Sequence, residues 1–341
     1  MTHRVSSGEL PRTLGTWPVF AAGVALVVAA STLVSDFSGY LALGYAFAAA
    51  LAAGFLINAL LGVSAADLSV AYPRAGALYD YARNIVGGKR GRFLGLFLGL
   101  TFYGMFALGM SGETAAGAHG LKAMLGIDAH LNYYVIAICV MAVLPNIFGL
   151  KTTAWISGAL LLFMLGIRWF FGIAGFLGFS QTGAWSAANL DAGITIGDWF
   201  GSGGILAAGL ALAFWSFVGI EFACSLAEEV KEPKKNMPRG IILGLAAILG
   251  TSLIMVLGVG GTMPVESWRT AVAGELGAGG ESPQLAVGYL MFGKAGYYLM
   301  ALASVTASLG SRIIAFAVMP RVIFSIARDG LLFGNYGKTF A

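Results

Sequence analysis

Apolar residues in this chain neither alternate nor follow a single helical stripe; they come in unbroken runs of about twenty, separated by short polar stretches. A helix rising about 1.5 Å per residue crosses a hydrocarbon core of about 30 Å in one such run, so each run predicts a transmembrane helix. Eight are predicted, at about 17–46 (interrupted), 48–72, 93–118, 131–150, 153–178, 203–226, 239–262 and 295–326. The expected fold class is therefore all-α integral membrane. Residues 1–16 carry Arg4, Glu9 and Arg12 and no compact apolar run ending in small residues. They read as a tail ahead of a membrane domain over 17–341, not as a cleaved signal.

Composition agrees and removes other classes. Hydrophobic residues are 58% of 341 positions and charged residues 11%, and a water-soluble fold cannot hide that much apolar surface. The formal charge of +4 suggests nucleic acid only until its placement is considered. Fifteen basic residues fall in alternate loops: Arg4, Arg12, Arg74, Arg83, Lys89, Arg90, Arg92, Lys151, Lys231, Lys234, Lys235, Arg239, Arg321, Arg328 and Lys338. Three, Lys122, Arg269 and Lys294, fall in the others. The positive-inside bias then puts the N-terminus and the larger set in the cytoplasm, with lipid rather than nucleic acid as the surrounding partner. Loop 180–202, with Asp191 and Asp198 but no Lys or Arg, is expected outside, and loop 228–239 inside. Cys139 and Cys224 lie within predicted helices and imply no disulfide framework. His3, His119 and His130 lack metal-ligand spacing and no nucleophile motif is present, so neither an enzyme nor a cofactor is expected.

Asp36, Glu113, Arg168, Glu221 and Arg312 lie in or beside the apolar runs. A charge at the bilayer centre costs about 2.5–3.5 kcal/mol, so each needs an ion pair, a solute pathway or a route to the interface. Asp36 sits in a polar, β-branched patch at 31–39, STLVSDFSG, where a break in the first span is expected. Such unwound backbone lines a wet cavity in carriers; an ordinary loop near the outer interface is the alternative. A second interruption is expected in FWSFVGIE at 214–221, at Gly219 and Glu221. Interrupted first and sixth spans are the placement expected of an inverted-repeat carrier. Arg168 and Arg312 either pair with a carboxylate or stand as fixed positive charges; Glu113 has an interfacial alternative. Trp17, Trp155, Trp199 and Trp268 are expected in the interfacial belt.

Several segments together resemble the amino acid-polyamine-organocation permease superfamily. ADLSVAYPRAG at 66–76, followed by Tyr79 and Tyr81, is similar to the signature after helix 2. FWSFVGIE with AEEVKEPKKNMPRG at 227–240 resembles helix 6 and its following loop, and RVIFSIARDG at 321–330 the inner end of helix 8. The resemblance implies the LeuT-type fold: two inverted repeats, here at about 17–178 and, incompletely, 203–326, with helices 1 and 6 broken around a small-molecule substrate. By that match the substrate-binding residues would be Val34, Ser35, Asp36, Phe214, Phe217, Val218 and Gly219.

Two departures from the pattern shape the substrate expectation. Where amino acid carriers have a glycine-rich turn, this chain has Val34, Ser35 and Asp36, and SDFSGY at 35–40 is more like the ethanolamine permease branch. A fixed carboxylate attracts an ammonium by about 4 kcal/mol at about 4 Å and an effective dielectric near 20. An ethanolamine-like amine is thus expected, with a zwitterionic amino acid as the rival. Helix 5 carries Arg168 one turn beyond Met164, the position nearest to the lysine of sodium-independent members. Arginine keeps its proton, so coupling, if to protons, falls to Asp36, Glu113 or Glu221 rather than to Arg168 or Arg312. The implied role is alternating-access transport in the plasma membrane. Because the resemblance calls for at least ten helices, a truncated permease is also expected, and a non-transporting solute sensor is the other alternative.

Overall fold

The computed structural model describes residues 10–195, 197–198, 201, 204–276, 282–332 and 334, so Arg4, Lys338 and Trp199 lie outside the described residues. Among the described residues there is no strand, and eleven α-helices follow one another. The first two, α1 (Thr16–Val27) and α2 (Ala30–Leu43), form a pair bent by 54° at their junction. Then come α3 (Ala46–Ala71), the short α4 (Leu78–Val86), α5 (Gly88–Leu125), α6 (Leu131–Ile147) and α7 (Leu150–Phe176). After an irregular stretch, α8 (Ile205–Trp215) leads into a 3-10 segment, Ile220–Glu229. The chain continues through α9 (Pro233–Gly260), α10 (Val265–Leu276) and α11 (Pro283–Arg328).

Among the described residues six stretches are long and apolar enough to cross a membrane: α3, α5, α7, Ala207–Glu229, α9 and α11. The α1–α2 pair adds a seventh, and α6, with 17 residues, fills the remaining predicted position. All eight predicted runs are therefore helical, and the chain is an all-α integral membrane protein. Its last helix is less regular than its apolarity suggests. Non-helical backbone at Phe292 and Gly293 divides α11, so that Lys294–Arg328 is the membrane run and the preceding turns form a separate arm.

Burial explains the arrangement. In α1, Val19 and every residue from Ala21 to Val27 are buried, as expected of a helix that is apolar on all sides. It is walled by α7, α9, α11 and the 3-10 segment, while α5 and α11 pack along each other. Helices α7 and α9 meet backbone to backbone. A Cβ placed on Gly172 would stand 2.4 Å from the Ile254 carbonyl oxygen, and one on Gly258 2.1 Å from that of Gly172. Small residues let helices approach where lipid supplies no hydrophobic drive between them.

One end of the bundle is tied by charge. Leu14 forms a parallel bridge with Val230, and the Thr13 and Leu14 amides donate to the Glu229 carbonyl. Glu228 accepts from Arg328 (2.9 Å) and from the amides of Ala75 (2.9 Å) and Leu10 (3.3 Å). Glu229 pairs with Arg321 at 2.7 Å, and Asp329 with Arg83. Basic loops far apart in sequence thus share one face. Tryptophan placement differs from expectation at one position. Trp155 is 64% exposed and Trp17 37%, but Trp268 is 1% exposed and packs in the core, because α10 folds back onto the bundle.

Candidate functional site

The first break lies at Val28 and Ala29, upstream of the polar patch predicted to contain it. Residues 34–36 are helical, within α2. The offset follows from how a break must be serviced: exposed carbonyls and amides at membrane depth need partners, and these come from the neighbouring turn. Thr32 Oγ1 donates to the carbonyls of Val27 (2.9 Å) and Ala29 (2.6 Å). Glu113 on α5 accepts from the amides of Ala30 (2.7 Å) and Ser31 (2.8 Å), capping α2 with its carboxylate. The polar patch therefore marks the closing turn of the break, not its unwound residues.

The second break falls where Gly219 predicts it. α8 ends at Trp215, and Gly219 takes φ +126°, a conformation that an L side chain rarely adopts. Glu221 then accepts the Gly219 amide at 3.1 Å. Trp215 Nε1 donates to Ser31 Oγ at 3.4 Å, joining the two breaks.

Between them lies a cavity of about 500 Å³. Glu113 and Glu221 line it, with Ser31, Val218 and Gly219 at the breaks. Its wall is aromatic: the Phe222 ring lies 4.3 Å from that of Phe102 and 4.4 Å from that of Phe106, centroid to centroid. Tyr81 contributes a buried hydroxyl that has the Cys224 thiol beside it and no oxygen or nitrogen partner. Among the described residues no Lys, Arg or His lines this space and neither glutamate forms a salt bridge. A larger cleft of about 890 Å³ carries both signs, His119, Lys122 and Lys294 against Asp128 and Glu275, and neither break lines it.

Asp36 is not in the cavity. It is fully buried, paired with Arg168 and accepting from Ser216 Oγ (3.2 Å) and Ser252 Oγ (3.0 Å). The structure thus places this predicted site residue in a closed ion pair away from the cavity lining. Val34, Ser35, Phe214 and Phe217 do not line the cavity either. Ser35 Oγ donates to the Leu212 carbonyl at 3.2 Å, and Phe217 is buried against Phe55. Of the charged candidates, Arg168 takes its ion-pair reading. Arg312 reaches across to α5, donating to Thr114 Oγ1 and the Met110 carbonyl, and its charge is close enough to act on Glu113 from outside the cavity lining. The aromatic wall and Tyr81 were not predicted as site residues. Phe102, Phe106 and Glu113 recur at helical spacing on one face of α5, a signal present in the sequence.

Two broken helices enclosing a cavity between packed, membrane-length helices define a carrier-type membrane protein. The family model for amino acid permeases matches residues 14–338. The chain belongs to that family, within the amino acid-polyamine-organocation superfamily, whose members are transporters rather than enzymes. It is 30% identical over 345 residues to cationic amino acid transporter 2, vacuolar, of Arabidopsis thaliana, covering 94% of this chain and 49% of that protein. Cationic amino acid transporter 3, mitochondrial, of the same plant is 28% identical, covering 94% and 51%. An uncharacterized transporter of Mycobacterium tuberculosis is 27% identical, covering 73% and 54%. The chain spans about half the length of the curated relatives it matches.

Proposed function

We propose that this chain forms the substrate-binding part of a secondary-active permease for a small organic cation, an ethanolamine-like amine with a cationic amino acid as the rival. The observation that carries the reading is the cavity between the breaks, which holds two carboxylates and no basic side chain. In a low-dielectric space such a pair favours a positive solute and opposes an anionic one. The aromatic rings beside Glu221 add a face on which a cation is attracted to the ring quadrupole. Two relatives are named for cationic amino acids, which supports the sign of the charge.

The transport cycle is alternating access in a LeuT-type fold, with α1 to α7 as the first repeat and α8 to α11 as part of the second. Glu113 and Glu221 are the groups that would carry a coupled proton, since both face the cavity and can change charge, whereas Arg168 and Arg312 keep theirs. The basic face that gathers Arg83, Arg321 and Arg328 is cytoplasmic, with the N-terminus on that side, and the membrane is the plasma membrane.

The test is uptake of labelled ethanolamine, lysine and glutamate into vesicles bearing the chain and its Glu221→Gln variant. Saturable uptake or counterflow of the cations, weakened in the variant and absent for glutamate, is expected. Equal handling of glutamate would overturn the reading.

A further inference from the structure

We propose that Glu113 is a specificity-determining residue: its side chain occupies, as a tethered carboxylate, the backbone amides to which a substrate carboxylate would otherwise dock, so that the preferred substrate is an amine without a carboxylate. The inference rests on the cavity being the substrate site.

The N-terminus of a half-helix at a membrane break presents unpaired N–H groups and the positive end of a dipole, and is where an anionic substrate group binds. In this chain that position is α2, 14 residues long, opening at Ala30 on the cavity. Both of its first free amides are already used, at 2.7 and 2.8 Å, one on each oxygen of Glu113. A two-oxygen, two-amide arrangement is the geometry that a bound carboxylate would make. Glu113 is 1% exposed and is held there from behind. Arg312 on α11 grips the adjoining turn of α5 at Met110 and Thr114, and Ser308 Oγ donates to the Glu113 carbonyl at 3.3 Å. Arg312 is thus a positioning residue for the carboxylate. What the substrate has left to bind is Glu221, which accepts the Gly219 amide, the Tyr81 hydroxyl beside Cys224, and the rings of Phe102, Phe106 and Phe222. All of these suit an ammonium with an apolar or hydroxyl-bearing tail. A zwitterion would bring its carboxylate toward a carboxylate.

Matched pairs that differ only by that group test the proposal: cadaverine against lysine, and ethanolamine against serine. Binding of each labelled compound is measured on the purified chain in nanodiscs, for the wild type, Glu113→Ala and Glu113→Gln. The wild type is expected to prefer cadaverine and ethanolamine by about tenfold or more, and Glu113→Ala to shift both ratios toward lysine and serine by about the same factor. Glu113→Gln keeps one acceptor for two amides and is expected to shift them less, and it carries the test if the alanine variant is not monodisperse. Lysine binding as tightly as cadaverine in the wild type, or ratios unchanged in a folded variant, would overturn this proposal alone. Failure of the wild type to bind any of the four cationic or zwitterionic probes would overturn the proposed function with it.

Discussion

Replacing Asp36 by Asn removes one charge from the centre of the bundle while keeping the shape of the side chain. Both Asp36 and Arg168 are 0% exposed, and Arg168 has no protein partner for Nε or Nη1, so its guanidinium depends on this carboxylate. Losing one member of a buried pair leaves the other charge uncompensated, at a cost of about 3–5 kcal/mol, whereas removing both is often close to neutral. The Asn side chain still accepts from Ser216 or Ser252, which places the expected loss toward the lower end of that range. Joined to Arg168→Met, which fills part of the vacated volume without charge, Asp36→Asn should cost at least about 2 kcal/mol less than it does alone. Equilibrium unfolding of the purified chain in mixed micelles, for the two single variants and the double, gives the coupling energy directly. A stable Asp36→Asn protein that has lost amine binding would refute the reasoning and restore Asp36 as a substrate contact. A double variant no more stable than the single would show that the pair is not the source of the loss.

Gly219→Ala puts a Cβ 3.2 Å from Val27 Cγ2 at φ +126° and is expected to destabilise the second break by about 1–3 kcal/mol, read as a lower unfolding midpoint and reduced amine binding. Glu228→Gln weakens the tie that holds Arg328, Ala75 and Leu10 together at the basic face. In a Cys139→Ser background, a maleimide applied at that face should label the buried Cys224 severalfold faster, and an unchanged rate would argue that Glu228 closes nothing. Burial holds the Asp80 carboxyl above its ordinary value, although Ser325, the Gly76 amide and nearby arginines act the other way. Its folded form therefore binds the proton more tightly than the unfolded form, and stability falls as pH rises from the ordinary aspartate range through the raised value. Asp80→Asn should flatten that part of the pH–stability curve; an unaltered curve would assign the dependence to another group.

Much of the cavity lining was legible in the sequence as a short set of charges in apolar runs, because a titratable residue in such a run is visible without knowing its neighbours. Glu113 and Glu221 were found this way, and Gly219 was found because a glycine before a carboxylate interrupts a helix in any context. Asp36 was equally visible, but its partner was not. Its chemistry is that of a receptor, and only the arrival of Arg168 from 132 residues away turns it into a closed ion pair. The first break was misplaced by a few residues for a related reason. Ser31 and Thr32 signal that a break is near, but the residues that unwind are those whose freed carbonyls and amides Thr32 and Glu113 can reach.

What the sequence determined by itself is the part of the structure governed by local transfer free energy. Twenty apolar residues in a row must span a bilayer as a helix whatever surrounds them, and the basic loops fix which ends lie together. What only the tertiary structure decided is which of the five charges in apolar runs line the cavity and which are tied up elsewhere, Asp36 with Arg168 and Arg312 on α5. Helix-to-helix approach at Gly172, Gly175 and Gly258, and the meeting of α2 with α5 and α7, set distances of a few ångströms between residues a hundred positions apart. Electrostatic energy in a low-dielectric interior varies steeply over those distances, so the roles of Asp36 and Glu113 are properties of the packed bundle and not of their places in the chain.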